Sequence, residues 1–152
     1  MYPFVLNVHS WLRWVVIATC LWSIMRAAMS GGRPWTPADA RASRLFMITL
    51  DVQMLLGLLL YLVLSPFTRQ AMGDIGAAMK VSGLRFFLVE HLLGMLIAIA
   101  LTHVGIAKIR RASGDANRHR TALIFFSLAL VAILASIPWP VMPAGRPLFR
   151  IF

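Results

Sequence analysis

Apolar residues run through this chain in four long blocks, separated by short stretches rich in Arg, Pro and Gly. The blocks extend from about Val5 to Met29, Leu45 to Ser65, Arg85 to Ile109 and Thr121 to Ile137. A helix crossing the hydrocarbon core needs about 20 residues at 1.5 Å rise each, and each block is near that length. Pro66 ends the second block, because the residue before a proline disfavours helix. Pro138 and Pro140, on either side of Trp139, end the fourth. The pattern predicts an all-α fold, an integral membrane four-helix transmembrane bundle, forming one transmembrane domain over residues 1–152. The first block lacks the basic region and small-residue cleavage site of a signal peptide, so it is expected to remain as a span. No internal repeat or low-complexity segment interrupts the pattern.

The connector after the second block, Phe67 to Gly83, has a pattern of its own. Met72, Ile75 and Met79 recur with flanking Ala at helical spacing, while Asp74 and Lys80 fall elsewhere on the wheel. It reads either as a short helix lying in the membrane interface or as a simple packed connector.

Composition agrees with a membrane protein. The 152 residues are 60% hydrophobic and 13% charged, with a mean hydropathy of +0.79. A soluble domain is about 45–50% apolar and about 25% charged. The single cysteine, Cys20, excludes an intrachain disulfide and leaves the redox compartment unread.

The net charge of +10 would raise the question of nucleic acid in a soluble chain. Here most of the basic residues lie between apolar blocks, where they orient helices and meet anionic lipid headgroups. No RNA-binding signature occurs, so no nucleic-acid partner is expected. Loop one and its edge carry Arg26, Arg33, Arg41 and Arg44; loop three carries Lys108, Arg110, Arg111, Arg118 and Arg120. On the other side are Arg69, Lys80, Arg85, Arg146 and Arg150, a split of nine against five with Arg13 left inside a span. The positive-inside rule then puts loops one and three in the cytoplasm and both termini outside.

Ionisable groups in hydrocarbon are costly and usually functional. The candidates are His9, Arg13, Asp51, Glu90, His91 and His103; His119, in a basic loop, is expected to be solvated. His9 lies roughly 6 Å into span one and His91 roughly 9 Å into span three, by helical rise. Both spans run the same way, so the two imidazoles share a leaflet. Arg13 is one turn below His9 on the same face, and Glu90 adjoins His91 but points about 100° away. In the other leaflet Asp51 and His103 are each roughly 9 Å deep on antiparallel neighbours, which makes an Asp51–His103 pair plausible.

Two imidazoles from different helices at one depth are what axial ligation of haem b requires. His9 and His91 would be the iron ligands, Arg13 the propionate partner and Glu90 a hydrogen-bonding or proton-handling neighbour. Gly57 and Gly94 would let a ring or backbone approach closely. No Cys-x-x-Cys-His is present, so covalent c-type attachment is excluded. The alternative is that the histidines act as polar glue between helices, with Arg13 paired to Glu90. His103 has no second inner-leaflet histidine to support another haem. Zinc would need three or four clustered ligands, and no phosphate loop or nucleophile elbow occurs.

Read together, these polar positions give the chain a resemblance. His9-Ser10 precedes Leu12-Arg13-Trp14; Gln53 precedes Leu55-Leu56-Gly57-Leu58 and Tyr61; then follow Ser65-Pro66, Met79-Lys80, Arg85, Glu90-His91, Gly105, Lys108 and Ile137-Pro138-Trp139. With these, nearly the whole chain resembles a family of small four-span bacterial membrane proteins commonly labelled cytochrome b-like. The resemblance implies an electron-transfer or haem-associated component of the bacterial inner membrane. The family pattern often has histidine where this chain has Asp51, so a ligand role there would be lost.

The leading expectation is a small, non-catalytic subunit holding one haem b in a respiratory or photosynthetic membrane complex. A quinone could dock near the interfacial connector. The competing expectation is a cofactor-free accessory subunit packing against other membrane-protein subunits. The bland fourth span, Pro143, Pro147 and the tail ending in Phe152 suit such docking. A channel lined by Asp51 and His103 is the third class, with little room for a hydrated path.

Overall fold

The computed structural model describes residues 1–149, so Arg150 and the end of the tail at Phe152 lie outside the described residues. Among the described residues, four helical rods are each long and apolar enough to cross a membrane. Helix α1 is Tyr2–Ala28, with Pro3 in its first turn, where no intrahelical partner is needed for a backbone N–H. A short loop follows, turning through Gly31 and Gly32 at φ 53° and 82°, left-handed values that glycine adopts without strain.

Helix α2 spans Pro37–Leu59 and starts well before the apolar block, because its first turn is built on a charge cluster. Asp39 accepts from the Thr36 backbone N–H at 2.8 Å, Arg26 at 2.8 Å and Arg33 at 2.6 and 2.7 Å. Two of the arginines of loop one and its edge are thus tied to one carboxylate, itself 2% exposed. The rod continues through a widened π turn, Leu60–Leu64, before Pro66 stops it.

Three short helices form the connector: α3 Pro66–Gly73, α4 Ile75–Lys80 and α5 Ser82–Arg85. It is therefore broken where a single helix was one expectation. Asp74 is the reason, since its side chain accepts from the Ala77 N–H at 2.9 Å and starts a new helix. Ala71 and Ala78 turn inward against Leu88, while Met72, Ile75 and Met79 are exposed. A second π turn, Phe86–Glu90, leads into α6, His91–Arg111.

Gly114, at φ 84°, makes the tight turn into α7, Asp115–Ala135. Loop three is thus far shorter than the basic stretch suggested, with most of its charges on helix ends. His119 consequently sits on α7, buried at 4% exposure and packed on Trp35, with ring centroids 5.0 Å apart and planes inclined at 53°. The expected solvated loop histidine is instead a packed one, with no hydrogen-bond partner at either ring nitrogen.

The helices meet on Phe46 and Phe126, whose rings pack edge to face at 5.3 Å, among Val16, Cys20, Leu50 and Ala129. Cys20 is fully buried, and its Sγ lies 3.6 Å from the Phe126 carbonyl. Small residues set the closest approaches: a side chain at Gly105 would start 2.7 Å from Phe125 Cβ. Outward-facing positions such as Leu55, Leu62 and Val131 are also apolar and well exposed. Apolar residues on every face are what a bundle surrounded by lipid needs.

Candidate functional site

At the end of the bundle that carries α3 to α5, a cavity of about 140 Å³ opens between α1, α2 and α6. His9, Arg13, Gln53, Tyr61 and His91 line it, amid Leu and Met side chains. Mostly apolar walls with a few converging polar groups are the usual make-up of a ligand site.

The two imidazoles face one another with centroids 6.3 Å apart and planes inclined at 71°. Equal depth on parallel-running helices made this meeting foreseeable. His91 owes its position to the π turn just before it and to α7: its Nδ1 donates to the Ser136 carbonyl at 2.7 Å. That bond leaves the Nε2 lone pair of His91 available. Gly94, one turn further along α6, makes room for Ser136, because any Cβ there would overlap the serine Oγ.

His9 is held from α2. The Gln53 amide donates to the His9 backbone carbonyl at 3.0 Å and approaches His9 Nε2 at 3.3 Å. An amide N–H so placed makes Nε2 the acceptor and puts the proton on Nδ1. His9 Nδ1 is buried and has no hydrogen-bond partner. The ring's Cε1 edge rests on Gly57, where a Cβ would lie 3.2 Å away. Both rings are thus set as the tautomer with a lone pair on Nε2.

Arg13 lines the cavity and donates through Nη2 to the Leu148 carbonyl at 2.6 Å. The tail therefore folds back on its own chain, with Phe149 stacked on Trp14 at 5.3 Å. Arg146 closes the same side, its guanidinium 4.2 Å from the centre of the Phe67 ring. Glu90 is not part of the cavity: it is exposed and paired with Arg85 at 2.7 Å, so the Arg13–Glu90 pairing does not form. Arg85 and Glu90 are five residues apart, the spacing that the π turn between them brings onto one face.

Asp51 and His103 meet at 2.8 Å, Oδ1 to Nε2, outside the cavity and near the middle of the α2 rod. Their side chains are 38% and 48% exposed, so this pair sits on the outer wall rather than in a polar interior path. Among the described residues, no group of three or more His, Cys, Asp or Glu side chains could hold a metal ion.

Gln53, Tyr61 and Ser136 have structural roles at this site that residue-type reasoning does not assign to them. An uncharged amide within an apolar span was the available signal for Gln53, whereas Ser136 reaches His91 only through tertiary packing. Comparison of the chain with protein-family models, curated proteins and solved structures gives no match.

Proposed function

We propose that this multi-pass membrane protein is a small electron-transfer subunit of the bacterial inner membrane, holding one haem b between His9 and His91. The observation that carries this reading is the 6.3 Å centroid separation of two imidazoles on different helices, each with a lone pair on Nε2. The small Gly57 surface against the His9 ring is the feature that leaves room for a flat group.

Bound there, a haem would supply a one-electron couple whose potential would depend on the residues that hold and bury it. The chain's own part is to hold and orient. Ser136 fixes the His91 tautomer, as a carbonyl acceptor does behind most metal-binding imidazoles. Gln53 holds His9 through its backbone carbonyl, and ligation at Nε2 would require the Gln53 amide to give up its contact there. Arg13 and Arg146 place positive charge at the cavity, where carboxylates of a cofactor are stabilised. By the charge bias of the loops, the cavity end faces outward with both termini, and a quinone near the connector is the natural class of redox partner.

A reduced-minus-oxidised spectrum of protein purified from haem-replete cells tests the reading. Soret and alpha bands are expected, and each should be lost in His9→Ala and His91→Ala. Absence of bands in the parent protein overturns it. The second reading, a cofactor-free accessory subunit, is favoured by the bonds His9 and His91 already make to Gln53 and Ser136. It predicts a colourless protein that co-purifies with other membrane subunits.

A further inference from the structure

At the opposite end of the bundle, three arginines from three helices line one pocket. Arg44 comes from α2, Arg110 from α6 and Arg118 from α7, around a concavity of about 280 Å³. Its walls include Trp35, Met47 and Ile106. We propose that this pocket binds the phosphate of an anionic phospholipid headgroup.

Neutralisation is the first argument. The carboxylates at this end are Asp39 and Asp115. Asp39 is taken by Arg26 and Arg33, while Asp115 reaches Arg118 in one contact of 3.3 Å. Among the described residues, neither Arg44 nor Arg110 has a carboxylate within ion-pair distance. Three guanidinium groups around one concavity repel one another unless an anion is shared between them. A topology signal alone needs positive charge somewhere on the loops, as Arg41, Arg111 and Arg120 provide. It does not need charges from three helices around one hollow.

Ligand chemistry follows from the donors and the walls. Guanidinium forks match phosphate oxygens with paired hydrogen bonds. The pocket lies at the helix ends, at headgroup level, and its lower wall is apolar, which suits the glycerol and first methylenes of a lipid. Basic pockets between spans are the known form of such recognition. This inference is independent of the His9–His91 cavity.

The test uses the full chain, delipidated in mild detergent and titrated with phosphatidylglycerol, phosphatidylcholine or inorganic phosphate, with bound lipid counted by native mass spectrometry. Phosphatidylglycerol should be retained at about tenfold lower concentration than phosphatidylcholine, and the Arg44→Gln/Arg110→Gln pair should remove that preference. The matched Arg41→Gln/Arg120→Gln pair, equal in charge but outside the pocket, should keep it. Equal loss in both pairs overturns the proposal, as does equal retention of the two lipids. Inorganic phosphate competing at the same concentration as phosphatidylglycerol would mean an anion site without lipid. If the pocket variant does not fold, photo-crosslinking of a phosphatidylglycerol analogue to the parent protein decides. Adducts at Met47 and Ile106 support the pocket, and adducts spread over all helix ends overturn it.

Discussion

The Tyr61 hydroxyl donates to the Leu88 carbonyl at 2.9 Å, joining the π turn of the second span to that of the third. A π turn shifts the backbone hydrogen bonds to i→i+5, seen here as Ser65 N–H to Leu60 at 2.8 Å. Thr68 completes the arrangement by donating to the Tyr61 carbonyl at 2.7 Å. The widened turns are thus tied together beside the cavity, and His91 emerges directly from one of them.

Tyr61→Phe should accordingly leave the Leu88 carbonyl without its side-chain donor and lower stability by about 1–3 kcal/mol. Thermal unfolding in detergent measures this. A variant as stable as the parent would show that the two π turns hold without their link.

Gly57 sets how close His9 can come to α2. A methyl at Gly57 must push the imidazole, since its Cβ would sit 3.2 Å from Cε1. In a haem-binding protein, Gly57→Ala should weaken the absorbance bands and Gly57→Val should remove them, although alanine favours helix by up to about 1 kcal/mol. Unchanged spectra in both variants would exclude His9 as a ligand.

Asp51 and His103 bond to each other on a wall that faces lipid. Removing one leaves the other poorly satisfied, at a cost on the order of 1–3 kcal/mol. Asp51→Asn should be tolerated better than Asp51→Leu, because an amide still bonds an imidazole. His103→Leu should lower the melting temperature and leave any haem spectrum intact, since neither His103 nor Asp51 lines the cavity that holds His9 and His91. Loss of the spectrum in folded His103→Leu would move the haem to this pair.

Asp39 is the buried junction of loop one. Asp39→Ala strands Arg26 and Arg33, themselves 28% and 32% exposed, beside one another and should cost more than the roughly 1 kcal/mol of an exposed pair. Chemical unfolding of the variant checks the magnitude, and a loss below 1 kcal/mol, on the order of an exposed pair, would contradict it.

Orientation is open to single-cysteine labelling, because the one native thiol, Cys20, is fully buried. Arg41→Cys and Asn117→Cys should react with impermeant reagents from the cytoplasmic side. Labelling of both only from outside would reverse the topology.

How the chain divides into spans is a one-dimensional matter, and the residues decide it locally: about 20 apolar positions must cover a core of fixed thickness. Depth follows the same arithmetic, which is why His9 and His91, and Asp51 and His103, could be placed at shared levels from helical rise alone. Direction around each helix is another matter. It depends on which faces pack, and spans that are apolar all round carry no periodic signal to say so. That is why the outward placement of the Asp51–His103 pair emerged only from the fold. Glu90 turned to Arg85 for a related reason, because a π turn changes the angle of every later side chain and has no sequence mark of its own. His119 was buried by a loop shorter than its charges suggested, and Leu148 reached Arg13 across more than a hundred residues of chain. Contacts at such separation depend on how the helices pack together, which the local residue pattern does not specify.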